Sequence, residues 1–199
     1  MKIMEQLREK LTAFSEKHVQ SLVDRTKNSL KRFFPGDNSG VNALMEIKAL
    51  FLEKLLSSSD PWEALRTIES PLAESTPVKG IHCFSYKNDG SLFIEFSTDT
   101  ESFSPVLTDE FSKFFTPLLL NKKSFISGDL SNIPSIIKHL FINSGIDSLV
   151  IIPLFVNSSL WGGLIFNSCS SSQQWHPMEI ALFRSISGNL AIKLEQVLD

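Results

Sequence analysis

Two cysteines, Cys83 and Cys169, and a few scattered histidines are the side chains best equipped for chemistry in this 199-residue chain. Thiols could serve nucleophilic or redox steps, and imidazoles could ligate metal or move protons. Neither type is arranged for it. The cysteines form no CxxC pair, no Cys/His cluster and no disulfide framework. Cys83 lies mid-run in an apolar stretch, where a thiol serves as a small hydrophobe. His18 reads as a solvated or packed helix residue and His139 as a surface one. No Ser/His/Asp set, paired carboxylates or phosphate-cradling glycine loop is present. The chain is therefore expected to be non-enzymatic, with no metal site and no cofactor that the residues identify.

The elements that would carry these groups follow from periodicity. Residues 1–34 hold no glycine or proline, and apolar residues recur every three or four positions from Met4 to Phe33, which predicts a long helix. At 1.5 Å per residue it would span about 50 Å, too long to lie wholly on a small domain. Pairing with a second copy as a coiled coil, or folding back on the next helix, would bury its stripe. This segment carries eight basic and four acidic side chains in a chain of net charge −3. A basic helix can meet nucleic acid or anionic lipid, but the solvated face of a long helix is the simpler reading.

PGDNSG at 35–40 breaks the pattern, so residues 1–40 are read as helix plus linker and 41–199 as the main domain. Helical spacing resumes over 41–56 and again from Trp62 to about Glu74, where Asp60 caps and Pro61 takes the first position. Pro71 is expected to kink that helix or split off its last turn. GIHCFSY-KNDG-SLFIEFS reads as a hairpin turning at Asp89-Gly90. Pro105 and Pro117 bracket a short helix over Asp109–Phe115 with Thr108 as its cap. A short strand over 124–127 and a helix over 134–143 ending at Gly145 come next.

The run 148–194 follows, with strands over 149–156 and 160–168 joined at Asn157-Ser158-Ser159, then a long amphipathic helix. Both strands are apolar at nearly every position, which requires cover on both faces. The fold class is α+β: a central antiparallel sheet of about five to six strands with helices on both faces, preceded by the long N-terminal helix. The apolar run 149–156 is far too short to span a bilayer, and the charged N-terminus is no signal peptide. A cytoplasmic protein is expected.

Gly145-Ile146-Asp147-Ser148, leading into Ile152-Pro153-Leu154, resembles the GI-x-S-hydrophobic-PL strand of GAF domains, the small-molecule sensing modules of many bacterial signalling proteins. Leu160-Trp161-Gly162-Gly163-Leu164-Ile165-Phe166-Asn167-Ser168 resembles their LWG-x-L-x-F-[DN]-S strand, and Trp175 through Glu179-Ile180 their closing W-x-x-x-E-I helix. Gly80 to Phe96 fits the opening hairpin and Phe125 to Leu130 the middle strand and loop. The resemblance covers roughly 60–195. Most of it is scaffold: Gly162 and Gly163 for close backbone approach, Trp161 for a core position, Trp175 and Pro177 for a stapled helix start.

The resemblance implies a ligand cavity between one sheet face and residues 99–144. Cyclic-nucleotide-binding members share an Asn-Lys…Phe-x3-Asp-Glu signature, whose positions here are Asn167, Ser168, Trp175, Glu179 and Ile180. Serine replaces the lysine, so the supporting salt bridge cannot form. Bilin-binding members attach chromophore through a cysteine near the cavity, and 99–147 contains none. Methionine-sulfoxide reductases of this fold need cavity cysteines that are also missing. Haem or iron sensing would need a ligand cluster, for which His139 alone does not suffice.

Strand alternation selects His82, Phe84, Phe125, Ile133, Phe141, Ser148, Val150 and Phe166 as pocket residues, an apolar, aromatic lining suited to a small hydrophobic ligand. The expected function is a sensory or regulatory module, dimeric through its terminal helices, acting on a signalling partner in trans and not on nucleic acid or membrane. The alternative is a ligand-free dimerisation or adaptor module whose cavity its own phenylalanines fill.

Overall fold

A computed structural model of the chain describes residues 38–170 and 173–198. The predicted helix over 1–34 lies outside them. The described residues form two compact units, up to Ile68 and from Glu69 onward.

In the first unit, α1 (Asn38–Ser57) begins three residues earlier than the spacing predicts, inside the PGDNSG stretch. Its buried side chains, Leu44, Ile47, Phe51, Leu52 and Leu55 among them, follow the expected stripe. The second helix, α2 (Trp62–Ser75), opens with the Asp60 carboxylate accepting from the Trp62 N–H at 3.0 Å. Pro71 sits inside α2 and does not end it.

The second unit is built on a five-stranded antiparallel sheet: β1 (Gly80–Tyr86), β2 (Leu92–Ser97), β3 (Phe125–Ser127), β4 (Ser148–Val156) and β5 (Ser159–Ser168), in the order β2-β1-β5-β4-β3. Turn chemistry sets the hairpins. The β1–β2 turn uses Gly90 at φ +82, and Asp89 accepts from the Ser91 N–H. The β4–β5 turn is the two residues Asn157-Ser158, both at positive φ, with Val156 opposite Ser159, which is the type I′ pattern. β5 therefore starts at Ser159, one residue before the sequence reading. At Gly162 a Cβ would run into the Phe84 carbonyl of β1, and at Gly163 into the Phe84 ring, so both glycines are required for close approach. Trp161, expected in the core, is half-buried.

Helices cover both faces of this sheet. α6 (Pro177–Leu198) packs on β4 from one side. Its start is a capping box: Glu179 accepts from the His176 N–H at 2.7 Å, and His176 Nδ1 accepts from the Met178 N–H at 3.3 Å. Burial raises the Glu179 pKa, and the bond from His176 opposes that rise. Trp175 packs edge-on against Phe183 and donates its indole N–H to the Ser127 carbonyl. The helix is also tied to the hairpin tip, where Glu195 accepts from the Asn157 N–H at 2.9 Å.

The other face carries α3 (Thr100–Phe103), a 3-10 turn over Ser104–Val106, α4 (Asp109–Leu120) and α5 (Ser135–Asn143). Thr108 caps α4 as predicted, by accepting from the Phe111 N–H. Pro117 does not terminate α4, which runs on to Leu120. A proline costs a helix interior one hydrogen bond and crowds the preceding turn. Here the buried line Phe111, Phe115, Leu119 outweighs that cost. α5 ends in a Schellman motif around Gly145 (φ +70), with Ile146 N–H donating to Phe141 O and Gly145 N–H to Ile142 O, both at 2.9 Å. No described helix is long and apolar enough to cross a membrane.

Candidate functional site

The register of β4 and β5 decides which side chains meet the short helices. Val150 pairs with Phe166, and Phe166 stacks on Phe183 of α6 at 4.1 Å between ring centroids. Leu149, Ile151 and Ile165 therefore point the other way, into the cluster formed by α3, α4 and α5. Of the eight residues selected from sequence, Phe84, Ile133 and Phe141 lie inside that cluster, and Phe125 packs against it. His82 shares the face and stacks flat on Phe103, 3.9 Å between centroids. Ser148, Val150 and Phe166 belong to the opposite, α6-facing side. On β4 and β5 the ring layer therefore takes the alternate set, Leu149, Ile151 and Ile165.

The cluster is a layer of rings. Phe111 meets Phe84 edge-on at 5.4 Å and Phe141 edge-on at 6.2 Å, Phe115 meets Phe125 edge-on at 5.1 Å, and Phe111 and Phe115 lie tilted to each other at 4.5 Å. Edge-to-face pairs of this kind add about 0.5–1.5 kcal/mol each beyond area burial. The i, i+4, i+8 spacing of α4 and the Ile137/Phe141 pair of α5 put these side chains on one plane over the sheet. The loop after β3 closes the layer with Leu130 and Ile133. Leu130 is held at φ +57, a left-handed conformation that costs a leucine about 1–2 kcal/mol. The Ser127 hydroxyl oxygen, accepting from the Leu130 N–H at 3.1 Å, holds it there.

At one end of the same face the chemistry turns polar. His82 donates Nε2–H to Asn167 Oδ1 at 2.8 Å and accepts at Nδ1 from the Ser97 hydroxyl at 2.7 Å. Asn167 offers only a carbonyl oxygen to that ring nitrogen, which fixes the neutral tautomer. Burial lowers the His82 pKa to about 4, against the opposing pull of the Asn167 bond and the Asp99 charge. Gly80 lies beside this pair, and a Cβ there would collide with Asn167 Oδ1 and His82 Nε2. A cleft of about 150 Å³ opens here, lined by Lys79, His82, Asp99, Ser102, Asn167 and the turn from Ser144 to Ile146 among others. Sequence reasoning weighed Asn167 only as part of a nucleotide signature and passed over Lys79 and Asp99.

The remaining candidates fall elsewhere. Cys83, on β1, is fully buried on the sheet face opposite the ring layer, and burial pushes its thiol well above the ordinary range, which disfavours the thiolate. Cys169 is exposed at the end of β5, and His139 is exposed on α5. Among the described residues no group of three or more His, Cys, Asp or Glu could hold a metal ion.

The sheet order, the ring layer under the short helices and the closing helix are the arrangement of a GAF domain. The family model described as GAF domain matches residues 20–194, and the chain belongs to that family. Over 51 residues it is 37% identical to the circadian input-output histidine kinase CikA of Thermosynechococcus vestitus, a stretch that is 26% of this chain and 7% of that protein. Among solved structures, the phycoerythrobilin-bound GAF domain of a cyanobacterial phytochrome matches with TM-score 0.64 at 14% identity, covering 79% of this chain and 97% of the other. A protein in a far-red-absorbing dark state with bound biliverdin IXα matches with TM-score 0.63 at 12% identity, covering 79% and 99%. At such identities the likeness shows the fold alone.

Proposed function

We propose that this GAF domain is a non-enzymatic sensory module that reports the state of its phenylalanine layer to α6 through β4 and β5. The observation that carries this reading is that the two faces of those strands are committed to different elements. Leu149, Ile151 and Ile165 hold the layer, while Val150 and Phe166 hold α6. A small hydrophobic molecule entering among the rings would displace strands already packed, at crystal-like density, against the helix behind them. Dimerisation is part of the proposal. Ile192, Val197 and Leu198 are exposed apolar residues of α6 that a second copy would cover.

A tetrapyrrole, as bound by the solved relatives, is disfavoured as the ligand: neither Cys83 nor Cys169 lies in the layer, so no thiol is placed for a covalent attachment. The second reading, a ligand-free adaptor, is favoured by the mutual contacts of Phe111, Phe115 and Phe141, which fill one another's surroundings.

Native mass spectrometry of protein purified without refolding separates the two. A molecule that co-purifies, and is lost with Phe115→Trp, supports the sensor. A bare mass, together with unchanged hydrogen exchange in α6 when Phe111→Leu loosens the layer, rules it out.

A further inference from the structure

The cleft beside His82 borders the ring layer at Phe103 and Ile146 but differs from it in kind. Its mouth carries Lys79 and Asp99, both exposed. Among the described residues neither belongs to an ion pair, although they line the same cleft. Opposite charges that line one concavity without pairing are suited to a ligand that carries both signs.

The turn from Ser144 to Ile146 after α5 also lines the cleft, held rigid by its N–H groups donating to the last carbonyls of that helix. Asp99 is itself oriented, because its carboxylate accepts from the Ser102 N–H at 3.1 Å. The floor is fixed: His82 is 2% exposed, clamped between Ser97 and Asn167 and stacked on Phe103. Gly80 keeps the floor open, because any larger residue would occupy the space next to Nε2. The volume of about 150 Å³ is of the order of a cavity that admits a benzene-sized molecule, which suits a ligand of alanine-to-threonine size.

We propose that this cleft binds a small free α-amino acid, its carboxylate toward Lys79 and its ammonium toward Asp99. None of Phe111, Phe115 and Phe141 lines the cleft, so a bare mass in the native spectrum leaves this proposal standing.

The test uses the full chain, labelled with ¹⁵N, and follows the imidazole resonances of His82 by NMR during titration with L-alanine and L-serine. Acetate and methylammonium, each bearing one charge, serve as controls. The expected result is a saturable shift with either amino acid. Affinity should fall at least about tenfold for Lys79→Met and for Asp99→Asn, the loss due to one charged hydrogen bond. Asp99→Asn retains the oxygen that caps Ser102, and thermal melting confirms that both variants fold. Acetate or methylammonium binding as tightly as the amino acids overturns the zwitterion assignment. A linear response without saturation, or variants that bind like the parent, overturns the site.

Discussion

The ring layer around Phe111 and Phe115 and the polar knot around His82 share one face of one sheet, yet opposite means hold them together. The layer is apolar and fully buried, and each ring is positioned by the volume of the others. The knot is three polar side chains, His82, Asn167 and Ser97, positioned by hydrogen bonds that each fill a specific donor or acceptor. Shape tolerates repacking, whereas donor–acceptor matching does not. The first region is therefore set by volume, and the second by specific donors and acceptors.

Substitutions test that contrast. The largest effect is expected in the layer: Phe115→Ala leaves a ring-sized void and should cost about 3–5 kcal/mol in urea denaturation, with Phe115→Leu costing much less. An alanine cost below about 1 kcal/mol would mean that the layer collapses freely and is not close-packed.

The pH dependence of stability isolates the knot. His82 has a pKa of about 4 when folded against an ordinary 6.5, so the unfolded chain binds the proton first. Its contribution is therefore complete above pH 6.5 and lost as pH falls from 6.5 to about 4, a loss of about 3 kcal/mol in the limit. Denaturation curves at stepped pH should show this slope, and His82→Gln should flatten it.

Asn167→Leu strands the Nε2–H of a buried ring and should cost about 1–3 kcal/mol. Adding His82→Phe to it should recover part of that loss, since two apolar partners leave nothing unsatisfied. A double mutant no better than the sum of the singles would show the bond to be dispensable. The smallest effect belongs to the half-exposed tie at the hairpin tip, where Glu195→Ala should cost about 0.5–1 kcal/mol by the same measurement.

The same contrast explains what could be read in advance. Local signals were legible: the caps Asp60 and Thr108, the glycine turn at 145, the Asn157-Ser158 reversal and the glycine pair of β5. Each acts within a few residues of its cause. Pro117 misled because its local penalty is overridden by Phe115 and Leu119 on either side of it, a tertiary effect. The phase of β4 was illegible for a different reason. With both faces apolar, alternation shows that Val150 and Ile151 point oppositely but not which one meets α6. The knot was hidden by distance, since Asn167 lies 85 residues from the histidine that it orients. Neither residue signals the other along the chain. Asp99 is legible as an Asx-type cap before a short helix.

The bond from the Asn157 amide to Glu195 also makes a clock. That hydrogen can exchange with solvent deuterium freely only while the last turn of α6 is away from the hairpin tip. Its exchange rate therefore measures how often the end of the helix lifts from the sheet. A stimulus that slows this one amide while leaving the β4–β5 ladder unchanged has tightened the helix without altering the fold, and one that accelerates it has released the helix.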